Sequence, residues 1–371
     1  MRWTHRKHLL GLVAGTLLLT AACAPSAPEK VPPARATSAA ELGGMDALVA
    51  AAKKEGALNL IALPPDWANY GEMITAFGKK YGIRVNSAQP DYTSQDEINA
   101  ARGLKGTPLA PDVLDLGANV ALANTDVFAP YKVAAWGDIP DPLKEPTGLW
   151  FGDYGGYMSI GYDAGKVPAP TTFQDLLKSA YKNKVAMNGD PTAAGSAFNA
   201  VVAAALGTGG SPDDIGPGVD YFGQLKRNGN LVKGEPNRTT IQSGKTSVVI
   251  DWDYLNTAQA AKLKGAVDWK VVVPARAVVG SYYFQAINKD APHPAAARLW
   301  EEFLYSDEGQ NIWLKGLARP VRADAMRTAG TLDTAADANL PPVVGTPVFL
   351  SPAQTDAAKK YLTENWSRSV S

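Results

Sequence analysis

Short apolar segments alternate with longer amphipathic segments along almost the whole chain, and this alternation restricts the fold more than any other feature. Residues 57–63 are apolar, short and bounded by glycine and proline, which predicts a buried strand. Residues 70–81 place large apolar side chains at helical spacing, and 82–86 and 112–116 again predict strands. Because strand–helix–strand order is typical of parallel pairing, we expect an α/β fold with mainly parallel sheets flanked by helices.

The second half of the chain repeats this pattern. Strands are predicted at 184–187, 247–250 and 269–273, and helices at 193–206 and 295–305. In open α/β sheets, ligands bind beyond the carboxyl ends of the strands. The residues that directly follow the predicted strands are therefore the first candidates for a functional site.

The N-terminus has the features of a secretory signal. A positively charged start leads into the apolar run 9–20, and Ala21 and Ala22 precede Cys23. The run is too short to span a bilayer, so we predict a signal peptide over residues 1–22. Residues 19–23 resemble the bacterial lipobox, and Cys23 is the only cysteine of the chain. We therefore expect Cys23 to be lipidated and to anchor the mature protein to the membrane.

The composition limits the partners and the number of lobes. Residues 23–40 are rich in Ala, Pro and Ser, so we expect a flexible linker after the lipidated cysteine. Removal of the predicted signal takes away three basic residues and changes the net charge from zero to about −3, which gives no basic field for nucleic acid. About 330 residues remain to fold, more than one core usually holds, so we expect two lobes.

A series of motifs across the mature chain carries a resemblance to a known family. In order, the motifs lie at 56–60, 76–77, 81–83, 111–113, 130–131, 161–163, 172–177, 184–187, 190–191 and 292–310. The most specific is the last, in which a helix runs into the turn Ser306-Asp307-Glu308-Gly309-Gln310. In order and spacing, the chain resembles type II periplasmic solute-binding proteins, the group that includes binders of ferric iron, polyamines, thiamine and phosphonates.

The resemblance implies a lipid-anchored substrate-binding subunit of an ABC importer, held on the extracytoplasmic face of the cell membrane. It implies a two-lobed fold with crossing strands, in which lobe 1 is 41–157 plus 272–325 and lobe 2 is 158–271 plus 326–371. Such lobes close over a small ligand and deliver it to a membrane permease. We expect a monomer that needs no cofactor or metal, binds no nucleic acid and catalyses no reaction.

Aromatic and acidic side chains after the predicted strands, or near the crossings, predict a site for a small organic cation such as a polyamine-like amine. Carboxylates attract ammonium groups, and each aromatic face adds about 0.5–2 kcal/mol by cation–π attraction. Together with polar residues at predicted helix starts, the candidate ligand-binding residues are Asp66, Trp67, Asn119, Tyr154, Tyr157, Thr192, Ser196, Asp251, Trp252, Asp253, Tyr254, Tyr282, Tyr283 and Arg319. Some of these aromatic residues could instead fill the cores of the two lobes.

Two other ligands of the same fold stay open. The adjacent Tyr282 and Tyr283, together with carboxylates, could hold ferric iron, because phenolate and carboxylate oxygens suit a hard cation. Thr192 and Ser196 at a predicted helix start could receive a phosphonate, since a helix N-terminus offers free N–H groups, or they could cap the helix. Arg319 could pair with such an anion or brace the turn that follows it.

An exported serine hydrolase is the alternative of another class. Residues 179–182 fit the S-x-x-K pattern of penicillin-interacting enzymes, with Ser179 as the nucleophile. The partner signatures Ser-Asp-Asn and Lys-Thr-Gly are missing from the sequence. His293 is the only histidine after the predicted signal, and the sequence has no G-x-S-x-G elbow. The sequence therefore favours a binding protein over an enzyme.

Overall fold

A computed structural model gives the fold, and it describes residues 1–3, 31–234 and 236–370. From residue 31 onward, the described residues form one compact unit. Cys23 and nearly all of the predicted signal peptide lie outside the described residues. Within the described part of the chain, no helix combines the length and the apolarity that crossing a membrane requires.

Ten β-strands occur in the described residues, and most of them are short. They are β1 (Ala57–Ile61), β2 (Arg84–Ala88), β3 (Val113–Gly117), β4 (Phe128–Ala129), β5 (Phe151–Asp163), β6 (Val185–Met187), β7 (Val248–Trp252), β8 (Trp269–Val272), β9 (Gly280–Asn288) and β10 (Arg319–Pro320). The two long strands, β5 and β9, cover the regions where the sequence suggests crossings between lobes.

Thirteen α-helices occur in the same described residues. They are α1 (Met45–Glu55), α2 (Tyr70–Tyr81), α3 (Ser94–Gly103), α4 (Ala118–Ala123), α5 (Gly195–Gly207), α6 (Gly216–Arg227), α7 (Arg238–Gln242), α8 (Asp253–Leu263), α9 (Pro294–Leu304), α10 (Asp307–Lys315), α11 (Ala323–Ala329), α12 (Thr334–Asp337) and α13 (Pro352–Val370). α1 and α2 end at Gly56 and Gly82, whose positive φ angles of 73° and 68° turn the chain toward β1 and β2.

The strands form a two-stranded sheet and an eight-stranded sheet. β1 and β2 pair with each other, while the larger sheet has the order β3-β9-β5-β7-β6, with β4 on β9 and with β8 and β10 on β5. Residues 151–157 of β5 pair with β9, and residues 158–163 pair with β7 and β8. We call the side of β3, β4, β9 and β10, together with β1 and β2, half 1, and the side of β6, β7 and β8 half 2.

The α/β class is confirmed, but the strand pairing is mixed where we expected it to be mainly parallel. Among the named pairs, β1 with β2 and β6 with β7 are parallel. β5 and β9 instead pair antiparallel with each other and with β3, β7 and β8. Because these two long strands connect the halves, they run against the strands of the strand–helix units on either side. The local pattern gives no sign of that direction.

One hydrophobic cluster extends through both halves. In half 1, the ring of Phe77 lies 5.1 Å from the ring of Trp300 and 5.7 Å from that of Phe303. In half 2, the alanine-rich α5 lies close against α6, because a Cβ on Gly218 would collide with the carbonyl oxygen of Val201. Packing on both sides of the sheet fixes the positions from which the cleft residues project.

The end of the predicted linker is part of the folded body. Ala36 is fully buried, and the guanidinium of Arg298 donates to the carbonyl oxygens of Ala36 at 2.7 Å and Ala34 at 3.2 Å. The N–H of Lys132 also donates to the carbonyl oxygen of Thr37 at 2.8 Å. Composition indicates an extended spacer here, but hydrogen bonds from residues far away in the sequence hold this stretch against α9.

The C-terminal tail, residues 341–370, returns to the body of the protein. Val348 forms a bridge with Val279 just before β9 begins. α13 then packs on α6, where the ring of Trp366 lies 5.7 Å from the ring of Phe222. The ammonium of Lys226 donates to the carbonyl oxygen of Val370 at 2.9 Å. The tail is therefore fixed both at the start of β9 and along half 2.

Candidate functional site

Residues at the carboxyl ends of four strands line two cavities between half 1 and half 2. Trp67 follows β1, Asn119 follows β3 and Asn188 follows β6, while Asp251 and Trp252 end β7. This is the position that an α/β sheet gives to its ligand. We call this region the cleft, and the two spaces within it the first and the second cavity.

β5 crosses between the halves at two glycines. A Cβ on Gly155 would collide with the carbonyl oxygen of Ser281, and one on Gly156 would collide with the carboxylate of Asp253. The missing side chain at 156 lets Asp253 Oδ1 accept a hydrogen bond from the N–H of Tyr157 at 2.9 Å. The two glycines thus allow β9 and the start of α8 to approach the crossing strand.

Four aromatic side chains pack together at the centre of the cleft, and we call them the aromatic cluster. Trp67 meets Tyr254 of α8 with ring centroids 6.1 Å apart and Tyr283 of β9 with centroids 5.8 Å apart, both edge to face. Tyr154 of β5 stacks on Tyr283 at 5.4 Å. Tyr154 and Tyr254 are buried, so they form the floor of the cleft. Such pairs add about 0.5–1.5 kcal/mol each beyond burial.

A chain of hydrogen bonds leads from the cluster into the core of half 1. The indole N–H of Trp67 donates to the hydroxyl of Tyr154 at 2.7 Å, and that hydroxyl donates to Asp115 Oδ2 at 3.1 Å. The amide of Gln285 donates to Asp115 Oδ1 at 3.1 Å and to Asp153 Oδ2 at 2.8 Å. Burial raises the pKa of Asp115 above its usual range. The position of Trp67 therefore depends on a buried polar network as well as on ring packing.

The first cavity has a volume of about 330 Å³, and seven of the fourteen described residues that line it carry charged or amide side chains. The charged groups are Asp66, Asp251 and Lys262, and Lys262 Nζ lies 3.3 Å from Asp66 Oδ2. Among the lining residues that the structure describes, two carboxylates face one ammonium, so these charges sum to a net negative wall. The remaining polar lining residues are Trp67, Asn188, Asn237, Asn256 and Gln259.

Asp251 is the buried carboxylate of the first cavity. Its Oδ1 accepts hydrogen bonds from the hydroxyl of Ser196 and from the N–H of Trp252, and its Oδ2 accepts one from the amide of Asn188 at 2.9 Å. Burial raises the pKa of Asp251 to about 6, although these donors act in the opposite direction. A carboxylate oxygen accepts two hydrogen bonds, so Oδ2 keeps one acceptor position for a ligand.

The second cavity is smaller, with a volume of about 110 Å³. The tail contributes Phe349, Thr355 and Lys359 to its wall, and the ammonium of Lys359 is the only charged group among the lining residues. The start of α5 forms another part of the wall. The predicted site residues that line it are Asn119, Thr192, Trp252, Tyr282 and Tyr283.

Asp253 and Arg319 form an ion pair that lies outside both cavities. Arg319 Nη2 is 2.9 Å from Asp253 Oδ2 and donates to the carbonyl oxygen of Pro341 at 2.7 Å. Burial raises the pKa of Asp253, and the nearby guanidinium opposes that shift. Arg319 also lies over the ring of Tyr157 at 5.0 Å, and both residues line a separate cavity of about 290 Å³. Arg319 thus pairs with a carboxylate and a carbonyl oxygen away from the first and second cavities.

The predicted site residues therefore divide into three groups. Eight of the fourteen line the two cavities, and Tyr154, Tyr254 and Ser196 support those eight through ring contacts and a hydrogen bond. Tyr157, Asp253 and Arg319 belong to the separate ion-pair site. Sequence reasoning missed several polar or aromatic lining residues: Asn188, Asn237, Asn256, Gln259, Lys262, Phe349, Thr355 and Lys359. A usable signal existed for Gln259 and Lys262, which follow β7 on one turn of α8.

Two of the alternative chemistries find little support in the geometry. Among the described residues, no group of three or more His, Cys, Asp or Glu side chains is placed to hold a metal ion. Although both line the second cavity, the ring of Tyr282 packs against Phe349 and that of Tyr283 against Trp67 and Tyr154, so the two phenols have different surroundings. Ser179 is exposed and starts a single 3-10 turn, and no hydrogen bond joins its hydroxyl to Lys182 within this described segment.

Several solved structures share the fold. The chain is similar to the periplasmic binding protein AfuA from Actinobacillus pleuropneumoniae with fructose-6-phosphate bound (TM-score 0.63, 18% identity, covering 84% of this chain and 99% of that one). It is also similar to iron-bound HitA from Pseudomonas aeruginosa (TM-score 0.60, 19% identity, covering 85% of this chain and 99% of that one). A third similar structure is the spermidine/putrescine ABC transporter substrate-binding protein PotD from Streptococcus pneumoniae (TM-score 0.60, 14% identity, covering 85% of this chain and 99% of that one). At these identities the likeness establishes the two-lobed α/β fold alone.

The sequence match is more specific than the structural one. Residues 112–342 match the family of bacterial extracellular solute-binding proteins, and this span is more than half of the chain. It contains β3 to β10, and with them most of the walls of both cavities. The chain belongs to the family of bacterial extracellular solute-binding proteins.

Proposed function

We propose that this protein captures a small organic cation in the cleft and delivers it to the permease of an ABC importer. The observation that carries the proposal is the net negative first cavity, which lies beside the aromatic cluster at the carboxyl ends of the strands. An ABC-importer role follows from the family. The ligand class is the part that we infer from the cavity.

The charges of the first cavity suit an ammonium group. Lys262 already places an ammonium 3.3 Å from Asp66, so a cation can occupy this part of the cleft. Asp66 and Lys262 are largely exposed, and water weakens their attraction, so exchange of Lys262 for a ligand amine costs little. Asp251 is buried, and its remaining acceptor position is worth more to a cation because the local dielectric is low.

Trp67 and the amide side chains provide the rest of the site. The indole ring of Trp67 borders the first cavity and offers a face for cation–π attraction, worth about 0.5–2 kcal/mol. Asn188, Asn237 and Gln259 can donate to or accept from an amine or hydroxyl of the ligand. Together they favour a small polar amine over an apolar molecule.

The remaining features of the proposal come from the sequence. Lobe 1 is 41–157 plus 272–325 and lobe 2 is 158–271 plus 326–371, with β5 and β9 as the crossing strands. A lipid on Cys23 holds the protein on the extracytoplasmic face of the membrane. The protein acts as a monomer and is not an enzyme. Ferric iron, a phosphonate and a serine hydrolase remain the weaker alternatives.

The proposal is tested by following thermal unfolding against a panel of ligands. The chain from Ser26 onward, which contains the whole compact unit, is melted with putrescine, spermidine, thiamine, methylphosphonate and ferric citrate. A ligand that binds only the native state adds about 2.7 kcal/mol of stability at a hundredfold excess over its Kd. Amines should raise the melting temperature, and Asp251→Asn should abolish that shift.

The control is Asp268→Asn, because Asp268 is exposed and pairs with Lys270 away from the cleft. This variant should keep the full response to amines. A response to ferric citrate alone would mean that the ligand is iron and not an organic cation. If the protein hydrolyses an ester or a lactam and Ser179→Ala abolishes this activity, the protein is an enzyme and the proposal is wrong.

A further inference from the structure

The tail reaches the cleft through a segment that lies beyond the family match. That match ends at residue 342. The N–H of Gly280 donates to the carbonyl oxygen of Val348 at 2.9 Å, and the N–H of Val348 donates to that of Val278 at 2.8 Å. This short parallel bridge places Phe349 against Tyr282, with ring centroids 5.9 Å apart. The tail is thereby fixed to the strand that forms one wall of the second cavity.

α13 carries two polar side chains to the same cavity. Thr355 and Lys359 are four residues apart, so they lie on one face of the helix, and both line the cavity. Leu362 continues this face and is fully buried. Gln354 anchors the start of the helix, since its amide donates to Asp213 Oδ1 at 2.9 Å. The two polar side chains therefore occupy defined positions.

Lys359 lacks a partner that would explain its position. Burial lowers the pKa of its ammonium, and Asp356, which is exposed on the same helix, acts weakly in the opposite direction. Among the described residues, no carboxylate forms an ion pair with Lys359. A half-buried ammonium without a partner carries an unfavourable desolvation cost that an anion would remove.

Two further polar features of the cavity wall lack partners, whereas the hydroxyl of Thr192 donates to Asp190 Oδ1 at 2.6 Å. Thr355 is only 9% exposed, and its hydroxyl makes no hydrogen bond within the described part of the chain. The 13-residue α5 begins at Gly195, next to Ala194, and no side chain caps its first turn. The N–H groups of that turn and the helix dipole both favour a negative charge. An ammonium, a hydroxyl and a helix start thus face one space of about 110 Å³, and the described residues in its wall include no acidic side chain.

We propose that the tail completes the ligand site, and that Lys359 and Thr355 bind an oxyanion of the ligand in the second cavity. The chemical class is a phosphate, phosphonate or carboxylate group, which can accept from the ammonium, the hydroxyl and the first turn of α5 together. This inference rests on the proposed function, because it assumes that the cleft binds the transported solute. It goes further in naming a second charged subsite and the two residues that determine its specificity.

The test is a calorimetric titration of the chain from Ser26 onward with inorganic phosphate, methylphosphonate and acetate. These probes distinguish the three sources of an oxyanion. At least one should bind, and Lys359→Met should weaken its affinity at least tenfold. Thr355→Val keeps the shape of the side chain and should weaken it about threefold, the loss of one modest hydrogen bond.

Lys360→Met is the matched control, because Lys360 is exposed on the same helix. This variant should bind like the wild type. Lys359→Arg keeps the charge and should retain most of the affinity, so it separates loss of charge from loss of fold if Lys359→Met melts early. Equal affinity of Lys359→Met and the wild type for every probe would overturn the proposal.

The amine panel distinguishes failure of this inference from failure of the proposed function. Amine binding with no response to any of the three anions would leave the first cavity as the site and remove the oxyanion subsite. Anion binding that depends on Lys359, without any response to amines, would support the subsite and reject the cation as the transported solute.

Discussion

The indole N–H of Trp67 donates a 2.7 Å hydrogen bond to the hydroxyl of Tyr154, a residue 87 positions further along the chain. This bond connects the loop after β1 to the middle of the crossing strand β5. Trp67 also contacts Tyr254, which belongs to half 2. One side chain therefore joins the two halves and borders the first cavity, so its substitution should affect both stability and binding.

Trp67→Phe should lower the free energy of unfolding by about 1 kcal/mol, because it removes one neutral hydrogen bond but keeps a ring. Trp67→Ala should in addition weaken amine binding at least tenfold, because the aromatic face is lost. Urea unfolding and calorimetric titration measure the two effects. Trp136→Phe is a control away from the cleft and should leave the amine affinity unchanged. An unchanged amine affinity in Trp67→Ala would mean that the ligand does not bind in the first cavity.

Amine binding should weaken as the pH falls through the pKa of Asp251. Burial raises that pKa to about 6, and only the ionised carboxylate attracts a cation. We expect affinity to be constant above pH 7 and to fall roughly tenfold per pH unit well below 6. Asp251→Asn should bind weakly at every pH. The measurement is a titration series between pH 5 and 8, and a flat profile for the wild type contradicts the assignment.

The contribution of Asp251 to the stability of the ligand-free protein should fall as the pH rises, whereas the amine affinity should rise. The pKa of Asp251 is higher in the folded state than in the unfolded state. The stability that this carboxyl contributes is therefore fully present below about pH 4 and is lost as the pH rises through 6. The difference between wild type and Asp251→Asn should therefore change by about 2 kcal/mol between pH 4.5 and pH 7.5. Urea unfolding of both proteins at pH 4.5 and 7.5 measures this difference. The ionised form of Asp251 that binds a cation best is thus also the form that destabilises the native state.

Sequence reasoning located the parts of the cleft that local patterns specify. Asp66, Trp67, Asn119 and Asp251 were found because each follows a strand that its apolar run identifies, and a sheet brings such positions together. Arg319 was assigned two possible uses. Its ion pair with Asp253 depends on how β10 meets α8, which no local pattern indicates.

The tail shows why the rest could not be predicted. Its helix is visible in the sequence, and Thr355 and Lys359 are spaced for one face of it. Which face reaches the cleft depends on the bridge between Val348 and Val279 and on the packing of Trp366 against Phe222. Both are contacts between residues distant in sequence. The direction of β5 and β9 was unpredictable for the same reason.

Arg319→Met should be strongly destabilising. Asp253 is fully buried, and loss of the guanidinium 2.9 Å away leaves its charge without compensation. Breaking one partner of a buried ion pair costs about 3–5 kcal/mol. Urea unfolding should show this loss for Arg319→Met, and the double variant with Asp253→Asn should recover a large part of it. Additive losses in the double variant would mean that the pair does not act as a unit.

Glu301→Met should stabilise the protein, although it replaces a charged residue type in the core. Glu301 is fully buried in α9, and within the described chain neither of its carboxyl oxygens has a hydrogen-bond partner. Burial raises the pKa of Glu301 well above the usual range. The stability that this carboxyl contributes is therefore lost as the pH rises toward the raised pKa. Methionine has a similar length and needs no partner, so we expect a gain of about 1–3 kcal/mol that grows with pH.

The adjacent Glu302 provides the opposite case on the same helix. Its carboxylate accepts hydrogen bonds from the hydroxyl of Tyr131 at 2.9 Å and from the N–H of Ala134 at 3.0 Å. Glu302→Met leaves both donors without a partner and should therefore cost about 1–3 kcal/mol. Urea unfolding of both variants at pH 6 and 8 compares them directly. Equal losses in the two would mean that Glu301 has a partner in solution, whereas opposite signs would show that hydrogen bonding, and not charge, decides whether a buried carboxyl is tolerated here.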